Sequence, residues 1–131
     1  MNATELELVQ AGIANFPENQ PFWDKARQGQ FSLPRCRACG KQHWFPRAFC
    51  PLCFSDDVVW EDSAGQGTVF SYSRLNGPAG ERVIAYVQLQ DGPLMLTELV
   101  DTDASLAIGQ PVVVTLVEVA PDLRIPKFKP A

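Results

Sequence analysis

Four cysteines fall in two pairs, Cys36-x2-Cys39 and Cys50-x2-Cys53, with ten residues between the pairs. Each pair reads as a knuckle, a tight turn that aims two sulfurs at one point while backbone N–H groups donate to the thiolates. Two knuckles supply four thiolates, and four thiolates complete a tetrahedron, so no position is left for water or substrate. The spacing therefore predicts a structural metal rather than a catalytic one. Zn2+ is the expected ion, and iron is its rival because tetrathiolate iron sites use the same ligands. Gly40 follows the first pair at a place that tolerates positive φ, whereas Phe54 follows the second, where a less regular turn is expected. Arg35, Arg37 and Lys41 flank the first pair and are expected to offset the negative charge of the thiolates.

With all four cysteines committed to metal, none remains as a nucleophile. The single histidine, His43, stands beside Trp44 between the pairs and would need both a nucleophile and an orienting carboxylate brought to it. Ring packing is the simpler reading. Gly65-Gln66-Gly67 lacks the strand–helix setting and the lysine of a phosphate loop. Asp101 and Asp103 lie in a polar turn, where paired carboxylates are usually solvated. No residue is assigned a catalytic role.

The elements that must position the metal follow from pattern. Thr4-Glu5-Leu6-Glu7 reads as a capping box opening a helix with Leu6, Val9 and Ile13 on one face, weakened at its far end by Gly12. After the loop Asn15 to Asn19, Pro21 suits the first turn of a second short helix, Phe22, Trp23 and Ala26 give it apolar contacts, and Gly29 stops it. Both are too short to stand alone and must dock on something. Phe31 and Leu33 alternate ahead of the first cysteine pair, and Val58-Val59-Trp60 follows the second. Some thirty residues of this texture bury too little surface to fold without a metal.

Beyond the turn at Ser63 to Gly67 a run of strands is predicted. Thr68 to Leu75 carries Phe70 and Tyr72 on one face, and Val83, Ala85, Val87 and Leu89 alternate with Ile84, Tyr86, Gln88 and Gln90. Gln90-Asp91-Gly92-Pro93 is a hairpin signal into Leu94 to Val100, and Val112 to Val119 follows the turn at Ala107 to Pro111. Ile125-Pro126-Lys127-Phe128 is read as a short edge segment. The fold class is mainly β: short N-terminal helices over 1–29, a zinc ribbon over 30–61, and a small five-stranded barrel of OB type with a tail over 62–131.

Composition narrows the function. Eleven basic residues against fifteen acidic ones give a net charge of −4, and four thiolates with one divalent ion would take it to roughly −6. A protein that works by neutralising phosphates carries the opposite balance. No stretch reaches the ~18 apolar residues of a membrane span, and the first residues carry neither the basic patch nor the apolar run of a secretory signal. Reduced cysteines then place the chain in the cytoplasm.

The order of parts resembles the acyl-CoA-associated family in which a rubredoxin-like zinc ribbon precedes an OB-fold. The matching features run from Pro21-Phe22-Trp23-Asp24 through Arg35-Cys36-Arg37-Ala38-Cys39-Gly40 and Phe45-Pro46-Arg47-Ala48-Phe49-Cys50-Pro51-Leu52-Cys53. Gly65 to Tyr72, Ile108-Gly109-Gln110-Pro111-Val112 and the closing Ile125 to Pro130 continue the set. The resemblance implies a helper subunit that accompanies thiolase-like enzymes, steroid side-chain aldolases or acyl-CoA hydratases, completes their complexes and contacts acyl-CoA. It implies no catalysis by the chain alone. Phe22, Trp23, Phe45, Pro46, Arg47 and Phe49 are the expected partner or acyl-CoA surface, with Arg47 suited by its fork to a CoA phosphate or a partner carboxylate. Two other readings stand beside it. A single-stranded nucleic-acid module is supported by fold analogy and opposed by the charge. A stand-alone enzyme on CoA thioesters is opposed by the missing catalytic set.

Overall fold

Asn2 opens the first helix, α1 (Ala3–Asn15): its side chain accepts the Glu5 N–H at 2.8 Å, and the Glu5 carboxylate accepts the Asn2 N–H at 3.3 Å. The reciprocal cap expected at Thr4 therefore sits two residues earlier, because asparagine caps at least as well as threonine and the helix starts ahead of it. A single 3₁₀ turn over Pro17–Asn19 leads into α2 (Gln20–Arg27), with Pro21 in its first turn. Phe22 and Ala26, four residues apart on one face, are buried, and Gly29 ends the segment at φ +86°. The molecule is seen here in a computed structural model that describes residues 2–78 and 80–131.

The ribbon is a two-stranded antiparallel pair, β1 (Ser32–Cys36) with β2 (Val58–Asp62), in the register Leu33↔Glu61 and Cys36↔Val58. Five further strands close a barrel: β3 (Gln66–Gly77), β4 (Gly80–Leu89), β5 (Leu94–Leu99), β6 (Pro111–Ala120) and β7 (Leu123–Pro130), in the order β3-β4-β5-β7-β6. The alternation read in β4 holds: Val83, Ala85, Val87 and Leu89 are buried and their neighbours exposed.

Two expectations change. The closing segment is not a short edge piece but the full strand β7, hydrogen-bonded to β6 along most of its length and to β5 through Leu99↔Phe128. Phe128 is wholly buried in the core. Pro126 and Pro130 hid the strand, since proline weakens a strand pattern without forbidding one. Phe70 and Tyr72 do not share a face either, because the register slips between Val69 and Ser71. The bulge leaves Phe70 outside, while Tyr72 opposes inward-facing Ala85, packs on the core and donates its hydroxyl to the Leu106 carbonyl at 3.2 Å.

Ribbon and barrel share one hydrophobic cluster, which runs from Phe22 and Phe31 through Leu33 to Val69, Val87, Met95 and Phe128. The turn between them needs its glycine. Gly65 sits at φ +64°, and a Cβ there would lie 2.1 Å from Val114 Cγ1 and 2.7 Å from Val114 Cβ. Gly65→Ala is expected to cost about 2–4 kcal/mol, combining left-handed strain with a clash against a β-branched side chain. Gly12→Ala, in mid-helix with nothing within 4 Å of the new Cβ, is expected to gain up to about 1 kcal/mol. Denaturant midpoints of the two variants should move in opposite directions.

Candidate metal centre and apolar cavity

The two knuckles are built alike. In the first, the Cys36 carbonyl accepts the Gly40 N–H at 2.8 Å; in the second, the Cys50 carbonyl accepts the Phe54 N–H at 2.8 Å. The Cys36 N–H donates to Lys41 O at 2.9 Å and the Cys50 N–H to Ser55 O at 2.8 Å, so the match continues one residue on. Both turns need a left-handed residue, and both have one: Gly40 at φ +76° and Phe54 at φ +65°. The second knuckle is thus as regular as the first, with a non-glycine residue accepting the backbone strain. The Phe54 ring is 77% exposed.

The four sulfurs lie within 4.8 Å of one another, with Cys36 Sγ 3.5 Å from Cys53 Sγ and Cys39 Sγ 3.8 Å from Cys50 Sγ. A metal held by four sulfurs at about 2.3 Å requires edges of about 3.8 Å, so the donor set fits a tetrahedral tetrathiolate ion. Cys36 and Cys50 are buried, while Cys39 and Cys53 face outward. The Leu52 N–H donates to Cys50 Sγ at 3.3 Å. The Cys36 thiol is lowered to about 7, chiefly by the backbone N–H of Cys39 and against the effect of burial. Arg35 and Arg37, expected beside the thiolates, are occupied elsewhere. Arg35 pairs with Glu61 and donates to Gly40 O at 2.6 Å, and Arg37 pairs with Asp57 at 2.6 Å. They brace the ribbon across its strands.

Of the six residues expected to form a partner or ligand surface, four meet around one apolar cavity of about 430 Å³: Phe22, Trp23, Phe45 and Pro46. Phe22 is only 1% exposed and Pro46 is buried, so neither can belong to an outer contact surface. Phe22 belongs to the core, where its ring meets those of Trp23 at 4.9 Å and Trp44 at 5.4 Å. Arg47 and Phe49 are exposed and do not line the cavity. Asn19 fixes the ribbon loop over the helices by donating to Pro46 O at 3.1 Å, and its Oδ1 is left buried without a partner.

Sequence reasoning missed the other walls. Leu8, Val9 and Ile13 of α1 roof the cavity although no residue of that helix is buried, and Met95, Leu96 and Ile125 of the barrel form its floor. The apolar face read in α1 was the available signal for the roof. Polar residues stand at the rim, where Glu98 accepts from Lys127 at 2.7 Å and from Arg82 at 2.8 Å, and Arg82 also reaches Glu5 at 2.9 Å. Burial raises the Glu98 carboxyl, but the hydrogen bonds and charges of Lys127 and Arg82 hold it below its ordinary 4.5. His43 is buried with neither ring nitrogen hydrogen-bonded, and burial with the nearby Arg47 charge lowers it below its usual range. It stays neutral with no carboxylate to orient it. Among the described residues the cavity has apolar walls and a closed ion-pair rim, with no nucleophile–base pair.

A tetrathiolate ribbon joined to a closed five-stranded barrel defines a zinc-ribbon/OB-fold protein. Residues 23–59 match the ChsH2 rubredoxin-like zinc ribbon domain and residues 60–117 the ChsH2 C-terminal OB-fold domain. The chain belongs to this ChsH2, or DUF35, family. It is 35% identical over 117 residues to a probable enoyl-CoA hydratase alpha subunit of Thermomonospora curvata, a match covering 84% of this chain and 37% of that protein. It is 33% identical over 86 residues to a DUF35 domain-containing scaffold protein of Methanothermobacter thermautotrophicus, covering 60% and 65%. The chain thus spans a little over a third of the first relative's length and about two thirds of the second's. Among solved structures it resembles a chain of the Ltp2-ChsH2(DUF35) aldolase, with a TM-score of 0.74 and 34% identity over 86% of this chain and 93% of that one. A DUF35-family protein of unknown function from Sulfolobus solfataricus shares the fold, with a TM-score of 0.62, 18% identity and 88% and 86% coverage.

Two outcomes follow for this site. Cys50→Ser should abolish stoichiometric metal in the purified protein and lower its melting temperature, as read by elemental analysis and calorimetry. Glu98→Gln should cost about 1–2 kcal/mol at neutral pH, because Lys127 loses its charged partner. A carboxyl depressed on folding stabilises above its unfolded value and loses that effect as pH falls through the folded one. The gap between wild type and Glu98→Gln should therefore close as pH drops below 4.5, followed by denaturant midpoints.

Proposed function

We propose that the chain is a non-catalytic, zinc-binding accessory subunit of an acyl-CoA enzyme, with a thiolase-type enzyme as the leading partner class. One observation carries this reading: an apolar recess of about 430 Å³ is walled jointly by helices, ribbon and barrel, and its ionisable lining residues among those described, Arg82, Glu98 and Lys127, are held in ion pairs with one another, with no nucleophile beside them. Such a cavity binds or shields an apolar group without transforming it. Relatives named as a hydratase subunit, a scaffold protein and a chain of an aldolase complex support a place in an enzyme assembly.

In this reading zinc fills the tetrathiolate and holds the ribbon, and the acyl portion of the thioester meets Trp23 and Phe45 at the cavity. Arg47 and Phe49, exposed beyond Pro46 in the same loop, extend that surface toward the polar end of the ligand or the partner. The cytoplasm, which keeps thiols reduced, is the compartment that suits the site.

Tagged in its source cells and purified gently with nuclease, the chain should bring down an acyl-CoA enzyme in stoichiometric amount. Metal-loaded but alone, it should not turn over acyl-CoA thioesters. Turnover by the isolated chain, or recovery with no such enzyme attached, would contradict the proposal.

A further inference from the structure

A second apolar surface lies on the outside of the barrel, separate from the metal and sharing only Leu96 with the cavity. The outward positions of β3, β4 and β5 meet by register: Ser71 opposes Tyr86, Tyr86 opposes Leu96, and Gln88 opposes Leu94. Phe70 stands beside them because the bulge makes it the extra, unpaired residue of β3, and bulges serve to re-aim a side chain. Phe70 is 57% exposed, Leu96 54%, Tyr86 43%, Leu94 37% and Ile84 36%. At about 200 Å² for each large side chain, these five expose on the order of 400 Å² of apolar surface. That is the size of the largest apolar patch on a typical monomer, about 300–600 Å², and such patches are often functional.

We propose that this outward β3-β4-β5 face is where the chain docks on the larger catalytic protein, an inference that rests on the accessory-subunit reading above. Size supports it: ~400 Å² of apolar side chain is about half of the ~800 Å² that each partner buries in a standard interface, the apolar share usual there. Composition supports it as well. The polar residues around Phe70 and Tyr86, namely Thr68, Ser71, Ser73 and Gln88, are uncharged, while the charges Glu98, opposite Ile84, and Arg82, opposite Leu75, stand at one end of the face and pair with each other; interface centres are likewise depleted of charge. The marginal cations are already paired, Arg74 with Glu81 at 2.6 Å and Arg82 with Glu98 and Glu5. A nucleic-acid strand or an anionic membrane would need free cations at this place.

The test compares three full-length, tagged chains purified from the source cells with nuclease: wild type, Phe70→Asp/Tyr86→Asp, and Phe54→Asn. The last removes a still more exposed ring, 77% accessible, that lies outside this face at the turn after the second cysteine pair, and asparagine tolerates the left-handed backbone there. Circular dichroism and metal content should match in all three, because the substituted rings lie outside the core. Wild type and Phe54→Asn should retain an identified acyl-CoA enzyme, and the double variant should lose it by tenfold or more. Equal retention by the double variant overturns the docking face and leaves the accessory role standing. Absence of any such enzyme from wild type overturns both. Sedimentation is run on the same samples. A wild-type dimer that becomes monomeric in the double variant, or a nucleic-acid fragment protected from the nuclease by wild type and lost from the double variant, overturns the proposal in favour of self-association or strand binding.

Discussion

The contact on which the rest depends is the Phe22 ring. It lies on α2, almost wholly buried, within 4.9–6.1 Å of Trp23, Phe31, Trp44 and Trp60. Those rings come from the helix, the approach to β1, the loop between the knuckles and β2. Phe31 passes the contact on to Phe128 of the barrel at 6.2 Å. Aromatic edge-to-face pairs contribute about 0.5–1.5 kcal/mol each beyond the area they bury, and here they converge on one side chain. A ribbon too small to hold a core of its own thereby becomes part of the barrel's core.

That junction explains the metal and the cavity together. The ion fixes two knuckles, the knuckles fix the loop carrying Trp44, Phe45 and Pro46, and Asn19 ties that loop to the helices through Pro46 O. The cavity opens where these pieces stop short of the barrel, under α1. That helix buries no residue and is held by its own cap and by the Glu5–Arg82 pair. Stability therefore resides at Phe22 and the thiolates, and the roof of the cavity is the least anchored part of the structure. The arrangement sets an apolar recess beside surfaces held by the ribbon and the barrel.

Much of this was legible in the sequence because its signals were local. Two cysteine pairs at fixed spacing announce a tetrathiolate, and the alternation from Val83 to Leu89 announces a barrel strand. The failures came from signals that only the fold can resolve. Phe22 looked like surface because an aromatic in a short helix does not say which side its neighbours occupy. Prolines at 126 and 130 masked β7, and the bulge at Phe70 broke an alternation that the sequence continues without interruption. The apolar outward positions of β5 could not be told from inward ones before the register was known. The left-handed Phe54 is invisible in sequence, since nothing but its place after the cysteine pair hints at the turn.

The most direct test of this account follows unfolding of the metal-loaded chain in denaturant with three probes on one sample. Tryptophan fluorescence reports the rings around Phe22, a chromogenic chelator reports metal release, and circular dichroism reports the barrel. If the Phe22 junction binds ribbon and barrel into one core, all three should give a single transition with the same midpoint. Metal and tryptophan signals lost well before the barrel would mean that the ribbon is an independent lobe, and the account would be wrong.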